Sequence, residues 1–224
     1  MHDIYLEKLQ TMPLFQGIKK DETKALLTCL GHHIRHFKKG ELIFLQGETV
    51  KHIGVILNGS VSMIKEDLWG TQTLIVHLKS GEIFGETFAC GNLRETSVSF
   101  LVSTDCAVLI LPFHKIIHTC NISCHFHHLL IKNMIQLMSK KNVNLIEKIE
   151  ITSKKTLREK IMTYLLIQAQ HHGCEHFEVP LGRVEMATYL CADRSALTRE
   201  LTQMRSEGIL DFNKNTFHLL KPDQ

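Results

Sequence analysis

Between Ile116 and Glu150 the chain contains neither glycine nor proline. These two residues disfavour a helix interior more than any others, so their absence over this length predicts one long helix. At about 1.5 Å per residue, the helix would span roughly 50 Å. Such a helix separates the N-terminal part of the chain from the C-terminal part. We therefore expect a first domain over residues 1–115, a long helix over residues 116–151 and a second domain over residues 152–224.

Two apolar stripes run along the predicted helix. The first consists of Leu130, Met134 and Leu137. The second, here called the seam stripe, advances in alternating steps of four and three residues and contains Ile131, Ile135, Met138, Asn142, Leu145 and Ile149. This spacing is typical of a coiled-coil seam, in which a single asparagine fixes the register. We expect the first stripe to pack on the N-terminal domain and the seam stripe to form a dimer; an alternative is that both stripes line a monomer core.

Glycine is concentrated ahead of this helix, with nine of the thirteen glycines between Gly31 and Gly91. Between these glycines, apolar residues alternate with others, and alternation punctuated by glycine turns predicts antiparallel strands. The predicted strands are residues 41–46, 52–57, 61–65, 72–78, 96–103 and 106–111, the last two separated by a turn at 104–105. With further short segments there would be about eight strands, enough to close a small roll or jelly-roll barrel. The expected fold class is α+β.

The C-terminal part predicts a compact helical unit with a hairpin. We expect a helix over 154–170 after a Thr/Ser cap, a short strand over 177–179, helices over 183–190 and 194–206, and a hairpin of 209–212 with 216–220. Only Cys191, Ala192 and Asp193 separate the last two helices, so they must cross sharply. This is the helix-turn-helix arrangement, with the hairpin as a wing.

The helix over 194–206 has two contrasting faces. At 100° per residue, Leu197, Leu201 and Met204 share one face, and the opposite face carries Ser195, Thr198, Arg199 and Thr202. Asp193 is a favourable N-cap residue for this helix. A polar face with an arginine suits the major groove of DNA, where arginine pairs with guanine O6 and N7. Any surface helix has a polar face, so this geometry alone does not establish DNA binding.

Composition narrows the function classes. The net charge is only +3, and from Thr152 onward ten Lys and Arg face nine Asp and Glu, so bulk charge does not indicate nucleic acid. The seven cysteines, an odd number without a CxxC pair, do not predict a disulfide framework. There is no signal-like N-terminus and no apolar run of about 20 residues. We expect a soluble, cytoplasmic protein without a membrane segment.

Several segments, in order along nearly the whole chain, carry a family resemblance. Residues 193–201, with Met204 and residues 207–210, form one segment, and residues 40–44 with 47–48, residues 57–61 and residues 81–86 form the others. The first resembles the recognition helix and wing of the CRP/FNR family of bacterial transcription regulators, and the others resemble that family's cyclic-nucleotide-type β-roll. The resemblance implies a sensory roll, a dimerisation helix and a winged helix-turn-helix that binds operator DNA as a dimer.

By this resemblance, Arg199 matches the family's principal guanine-reading arginine. The other base or phosphate contacts that it implies are Arg194, Ser195 and Thr198, and the implied contacts to the DNA backbone are Gly182 and Arg183. Ser195 stands where the cyclic-AMP-responsive and oxygen-responsive members carry glutamate, so their operator sequence does not carry over. In the turn, Cys191 stands where glycine would more comfortably adopt a left-handed backbone, at a cost of about 1 kcal/mol if that geometry is required.

The effector pocket departs from the cyclic-nucleotide pattern. The implied ligand turn is Gly85-Glu86-Thr87, but the position of the phosphate-pairing arginine holds Thr96, followed by Ser97. Arg94 lies two residues earlier. A buried phosphate without a paired cation is strongly disfavoured. We therefore do not expect tight binding of cyclic AMP, and the effector remains an unknown small molecule or redox signal with an unknown cofactor.

A further group invites a metal interpretation. It contains His114, His118, Cys120, Cys124 and His128, of which the last three share a helical face and are ligand types that suit zinc or copper(I). One helix face seldom closes a metal site, so we expect solvated histidines and packed cysteines, with a metal site as the alternative.

Two rival functions fit the sequence less well. A cupin-type metal enzyme lacks ligands, because His125 and His127 fall at a helix start. A cyclic-nucleotide module acting on a protein partner would not explain the Arg199 face. The expected partners are double-stranded operator DNA and a second copy of the chain, and RNA polymerase is left open.

Overall fold

The structure is a computed structural model that describes residues 3–91, 95–118 and 125–220. The chain forms two compact units, residues 1–138 and 139–224. The longest helix contributes to both of them. No described helix is long and apolar enough to cross a membrane.

The N-terminal unit combines helices with one antiparallel sheet. Its helices are α1 (Asp3–Gln10), α2 (Lys20–Leu30), α3 (Glu86–Cys90) and α4 (Phe113–Ile117), with a 3-10 turn at Pro13–Phe15. Its strands are β1 (His33–Phe37), β2 (Leu42–Phe44), β3 (His52–Glu66), β4 (Gln72–Lys79), β5 (Ile83–Phe84) and β6 (Ser99–Pro112). β6 pairs with β1, β2 and β3, and β3 also pairs with β4 and β5. The predicted antiparallel roll is thus present, but α1 and α2 were not predicted.

Two strands are longer than the sequence indicated. β3 continues through Gly59, which lies between the two strands predicted at 52–57 and 61–65. β6 likewise continues through the turn predicted at 104–105. The ladder absorbs both irregularities as shifts of register between Ile56 and Val61. There, the side-chain carbonyl of Asn58 accepts a hydrogen bond from the Ala107 N–H. Gly59 has φ +77°, and a Cβ on it would collide with the Asp105 carbonyl oxygen, so only glycine fits this bulge.

The predicted long helix begins later than expected. α4 ends at Ile117, and His118 has an extended backbone (φ −92°, ψ 104°) while its Nδ1 donates to the His114 carbonyl at 2.6 Å. The prediction that one helix starts at residue 116 is therefore wrong. The long helix, α5, spans His125–Thr152 and is about 42 Å long.

The two stripes of α5 have different environments. Leu130 and Met134, of the first stripe, are buried in the core of the N-terminal unit, as predicted. In the seam stripe, Ile135, Leu145 and Ile149 are 56%, 60% and 66% exposed. Ile131 and Met138 of the same stripe pack against the core of the N-terminal unit, so the alternative that both stripes line a monomer core holds for these two residues and fails for the other three. Two apolar neighbours that were not predicted, Val143 and Ile146, are also exposed.

The C-terminal unit packs three helices on a small sheet. Its elements are α6 (Leu157–His172), β7 (His176–Glu178), α7 (Arg183–Tyr189), α8 (Arg194–Ser206), β8 (Leu210–Asn213) and β9 (Thr216–Leu219), with strand order β7-β9-β8. α6 begins three residues later than predicted. The reason is that Thr156 accepts a hydrogen bond from the Glu159 N–H while the Glu159 carboxylate accepts one from the Thr156 N–H. These backbone and side-chain hydrogen bonds lower the pKa of Glu159.

Candidate nucleic-acid interface

The faces of α8 are divided as the sequence predicted. Leu197, Leu201 and Met204 are completely buried, together with Met186 of α7 and Phe217 of β9. The side chains of the opposite face, Ser195, Thr198, Arg199 and Thr202, are all exposed, as is Arg194. Burial of large apolar side chains on one side fixes the rotation of the helix. The helix therefore does not rotate about its own axis, and its polar face stays exposed to solvent.

Two hydroxyl groups of the polar face donate to their own helix. Thr198 Oγ1 donates to the Arg194 carbonyl at 2.9 Å, and Thr202 Oγ1 donates to the Thr198 carbonyl at 2.9 Å. Each hydroxyl hydrogen is engaged, but a hydroxyl oxygen has two lone pairs that accept. These threonines are thus acceptors toward a partner. Arg199 supplies the complementary donors.

The turn before α8 has the geometry that the resemblance implied. Cys191 has φ +52°, in the left-handed region that a side chain disfavours. Its N–H donates to the Thr188 carbonyl, and the Ala192 N–H donates to the Ala187 carbonyl, which closes α7. Asp193 occupies the N-cap position of α8, but its side chain makes no capping hydrogen bond. Asp193 therefore stands at the predicted N-cap position but does not form the capping hydrogen bond.

Arg158, at the start of α6, braces α8 from outside the polar face. Its Nε donates to Glu200 at 2.6 Å, and Nη1 and Nη2 donate to the two carboxylate oxygens of Glu207 at 2.6 and 2.9 Å. These bonds raise the pKa of Arg158, and the Arg158 bond lowers the pKa of Glu207. The sequence interpretation missed this brace. Its signal was the separation of Glu200 and Glu207 by seven residues, two helical turns, which places both carboxylates on one side.

The end of α5 is built into the same unit. The Lys148 ammonium donates to the Tyr189 carbonyl and lies 3.9 Å from the centroid of the Tyr189 ring. Burial lowers the pKa of Lys148. Glu147, the preceding residue, accepts from His171 Nε2 of α6 at 2.9 Å. The last turns of α5 are therefore held against α6 and α7 within the C-terminal unit.

Gly182 and Arg183, the predicted backbone contacts, are both engaged within the unit. The Gly182 N–H donates to Glu185 at 2.8 Å. Arg183 Nη2 donates to the Lys214 carbonyl in the wing at 2.7 Å, and burial lowers the pKa of this arginine. A groove of about 540 Å³ is lined by Glu178, Arg183, Asn213, Lys214, Asn215 and Thr216. Arg183 thus reaches a surface groove while also holding the wing.

The predicted effector turn is enclosed. Gly85 has φ +80° and caps α3, and a Cβ on it would lie 3.0 Å from the His52 carbonyl oxygen and 3.1 Å from Phe44 Cε2. Glu86 is buried and Thr87 is exposed. Phe44 therefore lies against the turn that the resemblance assigns to a ligand.

Thr96, where a phosphate-pairing arginine was expected, is satisfied by its own surroundings. It is 2% exposed, and its hydroxyl donates to the Val98 carbonyl at 2.9 Å. Its backbone pairs with Gly47 and Glu48. Ser97 is exposed, and Arg94 lies outside the described residues.

Phenylalanines occupy the interior of the roll. Phe84 and Phe100 are almost completely buried, with ring centroids 5.1 Å apart. Phe44 lies within 6 Å of both, and Phe88 lies 6.4 Å from Phe100. Such edge and offset contacts between aromatic rings stabilise beyond area burial. The space beside the effector turn is therefore packed with apolar side chains.

The proposed metal group is only partly described. Cys120 and Cys124 lie outside the described residues, while His114, His118 and His128 are exposed. Within residues 3–91, 95–118 and 125–220, no three histidine, cysteine or carboxylate side chains are grouped to hold a metal ion. For the complete five-residue group, solvated histidines and packed cysteines rather than a metal site stay the sequence-based prediction.

Two family descriptions match consecutive parts of the chain. Residues 34–122 match the cyclic nucleotide-binding domain, and residues 159–224 match the Crp-like helix-turn-helix domain. The first match covers the strands of the roll, and the second covers the winged unit with α8.

Named relatives cover most of the chain. The transcriptional activator protein FnrA of Stutzerimonas stutzeri is 24% identical over 183 residues, which are 79% of this chain and 72% of FnrA. The cyclic AMP receptor protein of Thermus thermophilus is 22% identical over 210 residues, 91% of this chain and 90% of that protein. The solved structure of the c-di-GMP responsive global regulator CLP of Xanthomonas campestris is 18% identical in sequence and has a TM-score of 0.55. The alignment covers 89% of this chain and 98% of the CLP chain, and it shows the same fold. Because both domains, their order and these relatives agree, the chain belongs to the CRP/FNR family of bacterial transcription regulators.

Proposed function

We propose that this chain binds an inverted-repeat DNA operator as a homodimer, under the control of an effector other than cyclic AMP. The observation that carries the proposal is the division of α8, whose apolar face is fully buried while Arg194, Ser195, Thr198 and Arg199 are exposed on the other side. A rigid helix with donors and acceptors on its free face is suited to the major groove, which presents a distinct pattern for each base pair.

Within this proposal, Arg199 reads guanine and sets sequence choice. Ser195 and Thr198 contact base edges, and Arg194 contacts a base or a phosphate near the positive end of the helix dipole. Arg183 and Gly182 lie against the sugar–phosphate backbone, where contacts add affinity that is nearly independent of sequence. The groove beside Arg183 gives this arginine access to a phosphate.

The seam stripe supports the dimer. Regulators of this family bind DNA as dimers. Ile135, Leu145 and Ile149 are exposed at coiled-coil spacing, and a contiguous apolar strip of this kind is typical of a protein interface. Asn142 of the seam stripe would pair with its counterpart and fix the register.

The enclosed roll supports the restriction on the effector. The relatives described above already differ in their nucleotide, since one is a cyclic AMP receptor protein and another is c-di-GMP responsive. In this chain Thr96 is buried without offering a cation, and the phenylalanine cluster fills the space beside Gly85. Binding a phosphate there would require a buried charge without a partner among the described residues. A small molecule of other chemistry or a redox signal remains the proposed effector.

Selection of duplexes from a random-sequence pool with the full chain, followed by footprinting, tests the proposal. We expect an inverted repeat whose half-site centres lie about 34 Å apart, one turn of the DNA helix. An asymmetric site, or no enrichment of any sequence, contradicts it. DNA as the target implies that the protein acts in the cytoplasm, where an activator would also meet RNA polymerase.

A further inference from the structure

One aromatic ring of the wing contacts arginines from both helices of the helix-turn-helix. Phe212 lies on β8 and is half-buried. The guanidinium carbon of Arg183, the first residue of α7, lies 4.9 Å from the centroid of the Phe212 ring. The guanidinium carbon of Arg205, in the last turn of α8, lies 5.4 Å from the same centroid. Phe212 therefore connects the wing to α7 and to α8 at once.

Each arginine also bonds to the wing beside this ring. Arg183 Nη2 donates to the Lys214 carbonyl, and its guanidinium lies 5.0 Å from the Phe217 ring centroid. Arg205 Nε donates to Asp211 Oδ1 at 2.7 Å, one residue before Phe212. Arginine is suited to this double role because its planar group stacks on a ring while its edge donates hydrogen bonds. Through these ring contacts and hydrogen bonds, Arg183 and Arg205 hold β8 in a fixed position against α7 and α8.

The segment held in this way is the wing turn. Lys214 lies between the ends of β8 and β9, is exposed and has φ +52°. An exposed loop tip moves unless its backbone is fixed. Here the carbonyl of Lys214 itself is fixed by Arg183. Lys214 also lines the groove of about 540 Å³ beside Arg183.

We propose that Phe212 is a positioning residue for DNA binding, which with Arg183 and Arg205 sets the wing turn relative to α8 so that Lys214 meets a phosphate while α8 occupies the major groove. This inference rests on the proposed function. In this arrangement Phe212 makes no contact with DNA itself, and it acts through Lys214, whose backbone carbonyl is held by the arginine stacked on the ring. The lysine charge and the phenylalanine ring should therefore act as one unit.

The test uses the full chain and a duplex selected by the unaltered protein from a random pool. Binding is measured by fluorescence anisotropy at several salt concentrations for Phe212→Leu, Phe212→Tyr, Lys214→Gln and the double variant Phe212→Leu with Lys214→Gln. We expect Phe212→Leu and Lys214→Gln each to weaken binding about three- to tenfold, with a salt slope shallower by about one. Phe212→Tyr keeps the ring and should bind normally. In the double variant, Lys214→Gln should cost less than about twofold, because residues that act as a unit are not additive.

A purely structural role of Phe212 would give a different pattern. The Lys214→Gln effect would then be the same with and without the ring, and that additivity overturns the inference, as does Phe212→Tyr binding as weakly as Phe212→Leu. If Phe212→Leu does not fold, Arg205→Lys replaces it, because it keeps a charge beside Asp211 and loses the planar group on the ring. Failure of the unaltered chain to select any duplex would instead refute the proposed function, and with it the inference.

Discussion

A comparison of two threonines shows that the two units place similar hydroxyl groups in different environments. Thr198 of α8 and Thr96 of the roll both donate their hydroxyl hydrogen to a backbone carbonyl at 2.9 Å. Thr198 is exposed, so its lone pairs face solvent. Thr96 is 2% exposed and is surrounded by the roll's own backbone. The first can accept a hydrogen bond from a partner without any structural change, and the second cannot.

The contrast extends to the neighbours of each threonine. Arg199 is exposed beside Thr198, whereas phenylalanines fill the space near the Gly85 turn. A surface open to a partner needs no conformational change, while a closed interior must be rearranged before a ligand enters. On the proposed function, the exposed face of α8 keeps one form, and an effector acts by changing how that face is presented to DNA. Variants in the seam stripe, on α8 and in the roll test this division between an open surface and a closed interior.

The largest effect is expected from disrupting the seam stripe. Replacing Ile135 and Met138 together with glutamate should produce monomers and lower operator affinity by about 100-fold or more, because two linked half-sites bind far more tightly than one. Leu145→Glu with Ile149→Glu should do the same. This second pair avoids the partly buried Met138 and so leaves the N-terminal core intact.

Sedimentation and anisotropy measure the two consequences. Gln136→Glu with Asn144→Glu adds the same charge at exposed polar positions outside the stripe and should leave a dimer. A monomer in the unaltered protein at micromolar concentration would refute the seam stripe as an interface. A dimer that persists in both glutamate pairs would do so as well.

Removal of the Arg199 side chain tests the open surface directly. Arg199→Ala should cost about 1–3 kcal/mol on the selected duplex, or roughly 5- to 150-fold in affinity, and much less on random DNA. Arg183→Ala is the contrasting variant and should weaken both duplexes alike, with a salt slope shallower by about one for its own phosphate contact and by about one more for Lys214, whose carbonyl it holds. Competition assays against random duplex measure both. Unchanged specificity in Arg199→Ala would mean that another element reads the bases.

A smaller effect should come from His52, whose carbonyl borders the Gly85 turn. Burial lowers the pKa of His52, and the neighbouring His33, His114 and Lys51 lower it further. The unfolded chain then takes up this proton before the folded chain does. Stability from this group is present above the ordinary histidine pKa of about 6.5 and is lost as pH falls below it.

His52→Gln should therefore flatten the pH dependence. The difference in unfolding temperature between unaltered and variant protein should change by about 1–2 °C between pH 7.5 and 5.5, with the unaltered protein losing more. Scanning calorimetry over this range measures it. A pH-independent difference would mean that the folded roll accommodates the charge as readily as water does.

The smallest expected effect is that of cyclic AMP, which should be none. Since the interior is closed and Thr96 offers no charge, titration calorimetry should show no saturable binding in the micromolar range. Added nucleotide should likewise leave operator affinity unchanged. A submicromolar dissociation constant would show that the roll opens, and the contrast between the two units would fail.

Local sequence patterns were sufficient to predict a structural element whose bounds and faces depend on that element alone. The buried and exposed faces of α8 follow from the 3.6-residue period, and its start follows from Asp193 as the N-cap residue. The same reasoning failed at Gly59 and at Asp105. A glycine in a bulge and a glycine in a turn look alike in sequence, and only pairing across the sheet distinguishes them.

Contacts between distant segments were not predictable. Arg158 is 42 residues from Glu200, and Arg183 is 29 residues from Phe212, yet these pairs brace α8 and the wing. No periodicity relates such positions. The enclosure of Thr96 also had no local signal, because a threonine is equally at home in a surface strand. The sequence thus predicted the exposed face of α8 better than the contacts that hold this helix from behind.

The brace of α8 by Arg158 has an evolutionary consequence. Because Glu200, Glu207 and the buried leucines hold the helix from behind, Ser195, Thr198 and Arg199 have no part in keeping it in place. Substitutions at these three positions are free to accumulate without a loss of fold. On the proposed function, a duplicated copy of the gene would acquire new targets through changes at these three codons, and the same positions are available for engineering its operator preference.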